Sequence, residues 1–117
     1  MKSISIKINS KKFNGFLLDR FFEWNIGLMF SPKKILVFDF KKKTKALIHM
    51  FFVFYPIYAI VLDENKKVID AKRMYPFISF FNFSGRYLIE IPTSFLDPKL
   101  ERFLKKKFFD KLKIEWF

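Results

Sequence analysis

Residues Ala46–Arg73, ALIHMFFVFYPIYAIVLDENKKVIDAKR, decide how the chain is read. Two dense apolar runs, Ala46–Phe54 and Ile57–Leu62, precede the turn-forming Asp63-Glu64-Asn65-Lys66, after which Val68–Arg73 resumes a strand pattern. Ala46–Leu62 has no charged residue, and its length sits at the low edge of the roughly 17–25 residues that a helix needs to cross a bilayer. Tyr55-Pro56 cuts it into two strand-sized pieces, however, and β-branched and aromatic residues dominate both. The block therefore reads as two strands covered on both faces, with an antiparallel strand beyond the turn and no membrane span.

Working upstream, Ser3–Ile8 alternates, with Ile4, Ile6 and Ile8 on one face of a half-buried strand. Asn9–Lys12 turns the chain into a second strand near Phe13–Leu18, and Asn14-Gly15 offers a tight hairpin turn or a bulge as alternatives. Asp19 is suited to cap a short helix over Arg20–Ile26 that Gly27 ends, and Leu28-Met29-Phe30 returns to the core. Ile35–Phe40 reads as a strand and Lys41–Thr44 as a basic turn.

Downstream, Met74–Gly85 reads as a loop because of Pro76 and Gly85, although it carries Tyr75, Phe77, Phe80, Phe81 and Phe83. Arg86–Pro92 alternates, with Tyr87, Ile89 and Ile91 opposed to Leu88 and Glu90. A helix is expected after Asp97, with Pro98 at its first position, where a missing amide hydrogen costs nothing. Leu100, Phe103, Leu104 and Phe108 form its apolar stripe, and Arg102, Lys105 and Lys106 face away. Leu112, Ile114 and Trp116 share one face of a last strand. The expectation is a mainly β, single-domain chain over 1–117: an antiparallel β-sandwich or barrel of about eight strands with two short helices.

Composition agrees with a folded domain. The chain has 117 residues, 51% of them hydrophobic and 21% aromatic, far from the signature of disorder despite a net charge of +12. Absence of cysteine excludes disulfides and thiolate chemistry, and leaves the redox compartment unread. Absence of Gln and Cys beside abundant Lys fits a thermophile, and an AT-rich genome explains the same bias. The N-terminus shows no apolar signal-peptide core, so a cytoplasmic location is expected.

The order and spacing of several motifs resemble the family called domain of unknown function 192 (DUF 192). They are Gly27-Leu28-Met29-Phe30, Leu36-Val37-Phe38, Ile48 through Ile57, Val61 through Asp70, Arg86 through Pro92, and Ile114-Glu115-Trp116. The resemblance covers nearly the whole chain and implies a compact jelly-roll-type sandwich or barrel with no established activity, of the archaeal kind without a leader. It also marks departures. Tyr58 stands where an acidic residue usually follows the Pro-Leu or Pro-Ile pair, Asn25-Ile26 where a basic residue usually precedes Gly-Leu-Met, and Phe109-Asp110-Lys111 where a Gly-Asp turn is usual.

Few chemistries find their residues. His49 is the only histidine and the side chain best suited to carry protons near neutral pH, but its sequence neighbours are apolar. No Gly-x-Ser-x-Gly elbow exposes a serine nucleophile, and one histidine without cysteine disfavours zinc. Glycine stands only at 15, 27 and 85, which excludes a phosphate-cradling loop and a dinucleotide fingerprint. Asp39, Asp70 and Glu90 lie in strands, where alternation places them on solvent faces and nothing pairs them for hydrolysis. No catalytic residue, metal site or cofactor is assigned.

The expected function is that of a non-enzymatic binding module of unknown ligand. Its candidate ligand-binding residues are His49, Arg73, Tyr75, Phe77 and Phe80, where the aromatic stretch covers the sheet as a pocket or apolar patch. One alternative is a nucleic-acid or polyanion binder using Lys33-Lys34, Lys41–Lys43 with Lys45, Lys66-Lys67 and Lys105–Lys107, with Tyr75, Phe77, Phe80 and Phe81 as stacking platforms. Clusters scattered over turns also describe an ordinary solvated surface. The other alternative is a cryptic hydrolase centred on His49. A monomer and a homodimer joined through exposed aromatics are both compatible with the sequence.

Overall fold

Seven strands form one sheet among the described residues, which are 2–19, 32–50 and 53–117 of a computed structural model. They are β1 (Lys2–Ile8), β2 (Lys11–Leu18), β3 (Ile35–His49), β4 (Ile57–Leu62), β5 (Val68–Met74), β6 (Phe80–Pro92) and β7 (Ile114–Trp116), in the spatial order β5-β4-β6-β3-β2-β1-β7. One helix, α1 (Pro98–Lys105), and two 3-10 turns at Thr93–Phe95 and Phe109–Lys111 join β6 to β7. The helix expected over Arg20–Ile26 and the apolar return Leu28-Met29-Phe30 lie outside the described residues. No helix among those described is long and apolar enough to cross a membrane.

One expectation is narrowed and two are corrected. Of the sandwich-or-barrel expectation, the described residues show the curled, half-barrel form, one sheet without a second facing it. Seven strands replace eight because Lys41–Thr44 is no turn: β3 runs on through it, joining Ile35–Phe40 to Ala46–His49, with a register shift against β6 between Asp39 and Thr44. The sheet is also not wholly antiparallel, since β2 and β3 pair in parallel from Gly15↔Ile35 to Leu18↔Phe38. Parallel neighbours need a long crossover, which the stretch between Leu18 and Ile35 supplies.

Asn9 and Ser10 turn β1 into β2, Asn9 taking φ 55°, which asparagine tolerates. Its backbone N–H donates to Lys113 O at 2.8 Å and its Oδ1 accepts from Lys113 N at 2.9 Å, fastening the hairpin to the C-terminal segment. Asn14-Gly15 is neither turn nor bulge, because β1 and β2 keep continuous register past it. Gly15 is there for space: a Cβ would lie 2.7 Å from Ile6 Cδ1 and 2.8 Å from Ile35 O.

The sheet buries both faces, and parity along the strands sorts side chains between two cores. Tyr58, Ile60 and Leu62 of β4 join Ile35, Val37, Tyr87, Ile89 and Ile91 in the first, which Leu100 and Leu104 of α1 cover. Ile57, Ala59 and Val61 join Leu36, Phe38, Phe40 and Leu88 in the second, which Met50, Val53 and Tyr55 help to close. Every residue of β4 is buried, as its apolar run requires, and each large side chain so buried contributes about 1.5–3 kcal/mol. Ala46–His49 departs from that expectation, since one of its faces is exposed.

Helix α1 starts where the sequence places it. Asp97 Oδ1 accepts from Leu100 N at 2.8 Å, and Pro98 occupies the first turn. Phe108, expected on the helix stripe, lies beyond the helix end and is exposed. Trp116 packs edge-to-face on Tyr87 with centroids 5.0 Å apart, closing the first core from β7.

Candidate functional site

Past the register shift, β3 and β6 continue as a two-stranded ribbon from Thr44↔Gly85 to His49↔Phe80. Asp39 holds its base, accepting from Lys41 N at 2.8 Å and from Arg86 Nε at 2.9 Å. Burial alone would raise the Asp39 carboxyl, but these hydrogen bonds and the charges of Arg86 and Lys41 leave it below the ordinary value. Gly85 lets the ribbon pass close to β4: a Cβ there would collide with Val61 Cγ1 and approach Leu62 O to 3.0 Å.

Alternation then gives the ribbon two unlike faces. The pairs Ala46↔Phe83 and Ile48↔Phe81 turn inward, and Phe81 and Phe83 are buried in the second core. The pairs Lys45↔Ser84, Leu47↔Asn82 and His49↔Phe80 turn outward. This corrects the loop reading of Met74–Gly85. From Phe80 onward the stretch is strand, and its phenylalanines alternate between core and surface.

The turn between β5 and β6 completes the outer end. Tyr75 N donates to Ser79 Oγ at 2.9 Å, and Phe77 N donates to Met50 O at 2.9 Å, tying the turn to the end of β3. Phe77 takes φ 66°, a left-handed conformation costing a non-glycine residue about 1–3 kcal/mol, and its ring meets Phe54 edge-to-face at 5.3 Å. Ile78 is 75% exposed, Phe54 62% and Leu47 55%, and Tyr75, Phe77 and Phe80 are exposed as well. The molecule thus presents an apolar rim.

The segments that build the rim carry positive charge only. Residues 40–62 and 71–89, which supply both ribbon strands and the turn, contain no Asp or Glu. Lys45 shares the outer face with Leu47, and Lys72 Nζ donates to Phe80 O at 2.5 Å. Lys72 lies opposite Ala59 and so faces the second core side, whereas Arg73 lies opposite Tyr58 and faces the helix.

The structure therefore divides the residues singled out in the sequence. His49, Phe77 and Phe80 come together at the rim, with Tyr75 at its margin under the Arg73 guanidinium, 5.5 Å from ring to carbon. Arg73 itself is bonded to Glu101 of α1, Nη1 to Oε1 at 2.6 Å, and its buried Nε has no hydrogen-bond partner. Burial raises the nearby Tyr58 hydroxyl, with the Glu101 charge a smaller contribution and Arg73 opposing both. Phe54, Ile78, Leu47 and Lys72 were missed. Strand parity along β5 is the signal that separates Lys72 from Arg73.

Glu90 corrects another expectation. It lies between Leu36 and Ala59 in the register of β6, on the second core's face, and is only 6% exposed. Burial pushes its carboxyl up to about 8. Tyr55, whose hydroxyl donates to Pro32 O at 3.1 Å, is pushed up to about 12 by burial and secondarily by the charge of Glu90. Asp39 is bound into a part-buried ion pair with Arg86 at 2.9 Å, and Asp70 into a surface pair with Lys107 at 3.5 Å.

A groove of about 750 Å³ separates the turn at Asn65–Val68 from residues 109–115, where the two edges of the sheet face each other. Lys66 at its border is already engaged over Trp116, 4.3 Å from the ring centroid.

No family model matches the chain. A UPF0127 protein of Thermococcus sibiricus is 37% identical over 86 residues, which span 69% of this chain and 56% of that protein, little more than half its length. A UPF0127 protein of Pyrococcus horikoshii is 35% identical over 105 residues, 86% of this chain and 85% of the other. Among solved structures, a putative transcription regulator of Sinorhizobium meliloti superimposes with a TM-score of 0.70 at 11% identity, covering 98% of this chain and 92% of the other. A protein of unknown function from Novosphingobium aromaticivorans gives 0.69 at 16% identity, covering 97% and 84%. Those two likenesses show a shared fold, and the archaeal identities show more: the chain belongs to the UPF0127 family of uncharacterised proteins.

Proposed function

We propose that the protein is a non-enzymatic binding module whose docking surface is the rim formed by Phe54, Tyr75, Phe77, Ile78 and Phe80, and whose partner combines apolar surface with negative charge. The observation that carries this reading is the coincidence of exposed apolar side chains with two rim-forming segments that hold lysines and no acid. Phe81, named among the stacking platforms of the nucleic-acid reading, is buried. The assignment to DUF 192 belongs to the same proposal and rests on motif order from Leu36-Val37-Phe38 to Ile114-Glu115-Trp116.

An amphiphilic anion, anilinonaphthalenesulfonate, tests the surface directly. The folded protein is expected to enhance its fluorescence, and Ile78→Ser with Phe80→Ser to lose most of that enhancement while keeping the far-ultraviolet circular dichroism of the parent. Equal enhancement in both proteins contradicts the reading.

A further inference from the structure

We infer that the rim's partner is the surface of an anionic lipid bilayer, an inference that rests on the docking surface proposed above. Three observations select this occupant.

The exposed side chains are of the kind that inserts. Ile78 and Leu47 are aliphatic and among the most exposed apolar residues of those described, and an aliphatic side chain offers a nucleic-acid base nothing to stack on. Phe54 and Phe77 meet edge-to-face, so they present a joint apolar wedge and not an open aromatic platform. Phe81, one of the four rings the stacking reading would use, is turned into the second core.

The backbone at the tip is held. Hydrogen bonds from Tyr75 N to Ser79 Oγ and from Phe77 N to Met50 O fix the turn against the end of β3, so little ordering remains to be done on docking.

The charge suits lipid headgroups. Lys45 stands two residues from Leu47 on the outer face, Lys72 is bonded to the Phe80 carbonyl, and Lys42 and Lys43 extend the positive stretch toward the ribbon's base. A cationic border around an inserted apolar tip is the arrangement by which peripheral proteins combine burial in the acyl boundary with attraction to anionic headgroups. The association is peripheral, with Ile78 and the Phe54–Phe77 pair entering the interface.

Co-sedimentation with vesicles tests this. The protein is expected to sediment with vesicles of phosphatidylglycerol and phosphatidylcholine, to stay in solution with phosphatidylcholine alone, and to be released by high salt. Ile78→Ser with Phe80→Ser should weaken binding at least tenfold, and Lys45→Ala about fivefold, as expected for one headgroup contact. Ile78 is the most exposed rim residue, so Ile78→Ser alone, which should still weaken binding severalfold, serves if the double variant fails to fold. Absence of sedimentation with the anionic vesicles at low salt overturns the inference, as does equal binding by a folded rim variant. Binding to a single-stranded oligonucleotide in place of vesicles overturns it in favour of nucleic acid. Rim-dependent dye enhancement without vesicle binding leaves the docking surface standing and removes only the bilayer, whereas loss of both removes both.

Discussion

Arg86 Nε donates to Asp39 Oδ1 at 2.9 Å, joining β6 to β3 where the ribbon leaves the register of the sheet. The same oxygen accepts from Lys41 N at 2.8 Å, in a residue whose φ of 69° belongs to the left-handed region. One carboxylate thus holds both the cross-strand contact and the irregular backbone. Charge-assisted hydrogen bonds of this kind are stronger than neutral ones, and the pair is largely shielded from water.

Removing either partner should therefore destabilise the protein by about 1–3 kcal/mol, with the larger loss for Arg86→Ala, which leaves a carboxylate behind. A double-mutant cycle with Asp39→Asn, read by urea denaturation, should show coupling of about 1 kcal/mol. Because the folded Asp39 carboxyl lies below its ordinary value, its contribution is present above the unfolded value and lost as pH falls through the folded one. Additivity of the two substitutions at pH 7 would contradict this role.

Gly85→Ala should cost roughly 1–3 kcal/mol or more, because the added methyl meets Val61 Cγ1 and Leu62 O in the body of β4. Neither obstacle is the end of a flexible surface side chain, so relaxation must move strands. Thermal unfolding reads the loss. An unchanged melting temperature would show that the ribbon does not press on β4 here.

Glu90 predicts an alkaline sensitivity. Its folded value of about 8 exceeds the ordinary 4.5, so the stability it permits is complete below the unfolded value and is lost as pH rises through the folded one. Unfolding free energy should decline between about pH 4.5 and about pH 8 by an amount on the order of a few kcal/mol. Glu90→Gln, uncharged throughout, should flatten that part of the profile. Parallel profiles for the two proteins would show that the carboxyl is not desolvated.

Asp97→Ala removes the side chain that accepts from Leu100 N at the start of α1 and should cost about 1 kcal/mol. Asp97→Asn, which keeps an acceptor oxygen, should recover much of it. Equal losses for the two would point to the ion pair with Lys11 at 3.3 Å as the larger contribution.

Local signals in the chain were legible where one physical cause dominates. The alternation of Ile4, Ile6 and Ile8, the uninterrupted apolar run of Ile57–Leu62 and the Asp97-Pro98 helix start each correspond to the element they predict. Long-range pairing was less accessible. Lys41–Lys43 has turn composition, yet Asp39 and Arg86 hold it as an irregularity inside one strand, and that contact spans residues far apart in sequence. Pro76 and Gly85 gave Met74–Gly85 the look of a loop, whereas pairing with Thr44–His49 makes Phe80–Gly85 strand. At the candidate site, composition pointed to the aromatic stretch but not to which side chains emerge. Arg73 turned toward Glu101 and Lys72 toward Phe80, a distinction fixed by the register of β5 on β4. Glu90 was assigned to solvent because alternation identifies a face without saying whether that face is covered.

The most direct measurement of the docking claim places a reporter at its most exposed point. Tryptophan emission from Ile78→Trp, corrected for the parent spectrum, should shift to the blue on titration with phosphatidylglycerol vesicles and be quenched by brominated acyl chains, with neither effect in phosphatidylcholine. An emission maximum unmoved by anionic vesicles at low salt, in a protein whose circular dichroism matches the parent, would contradict the account.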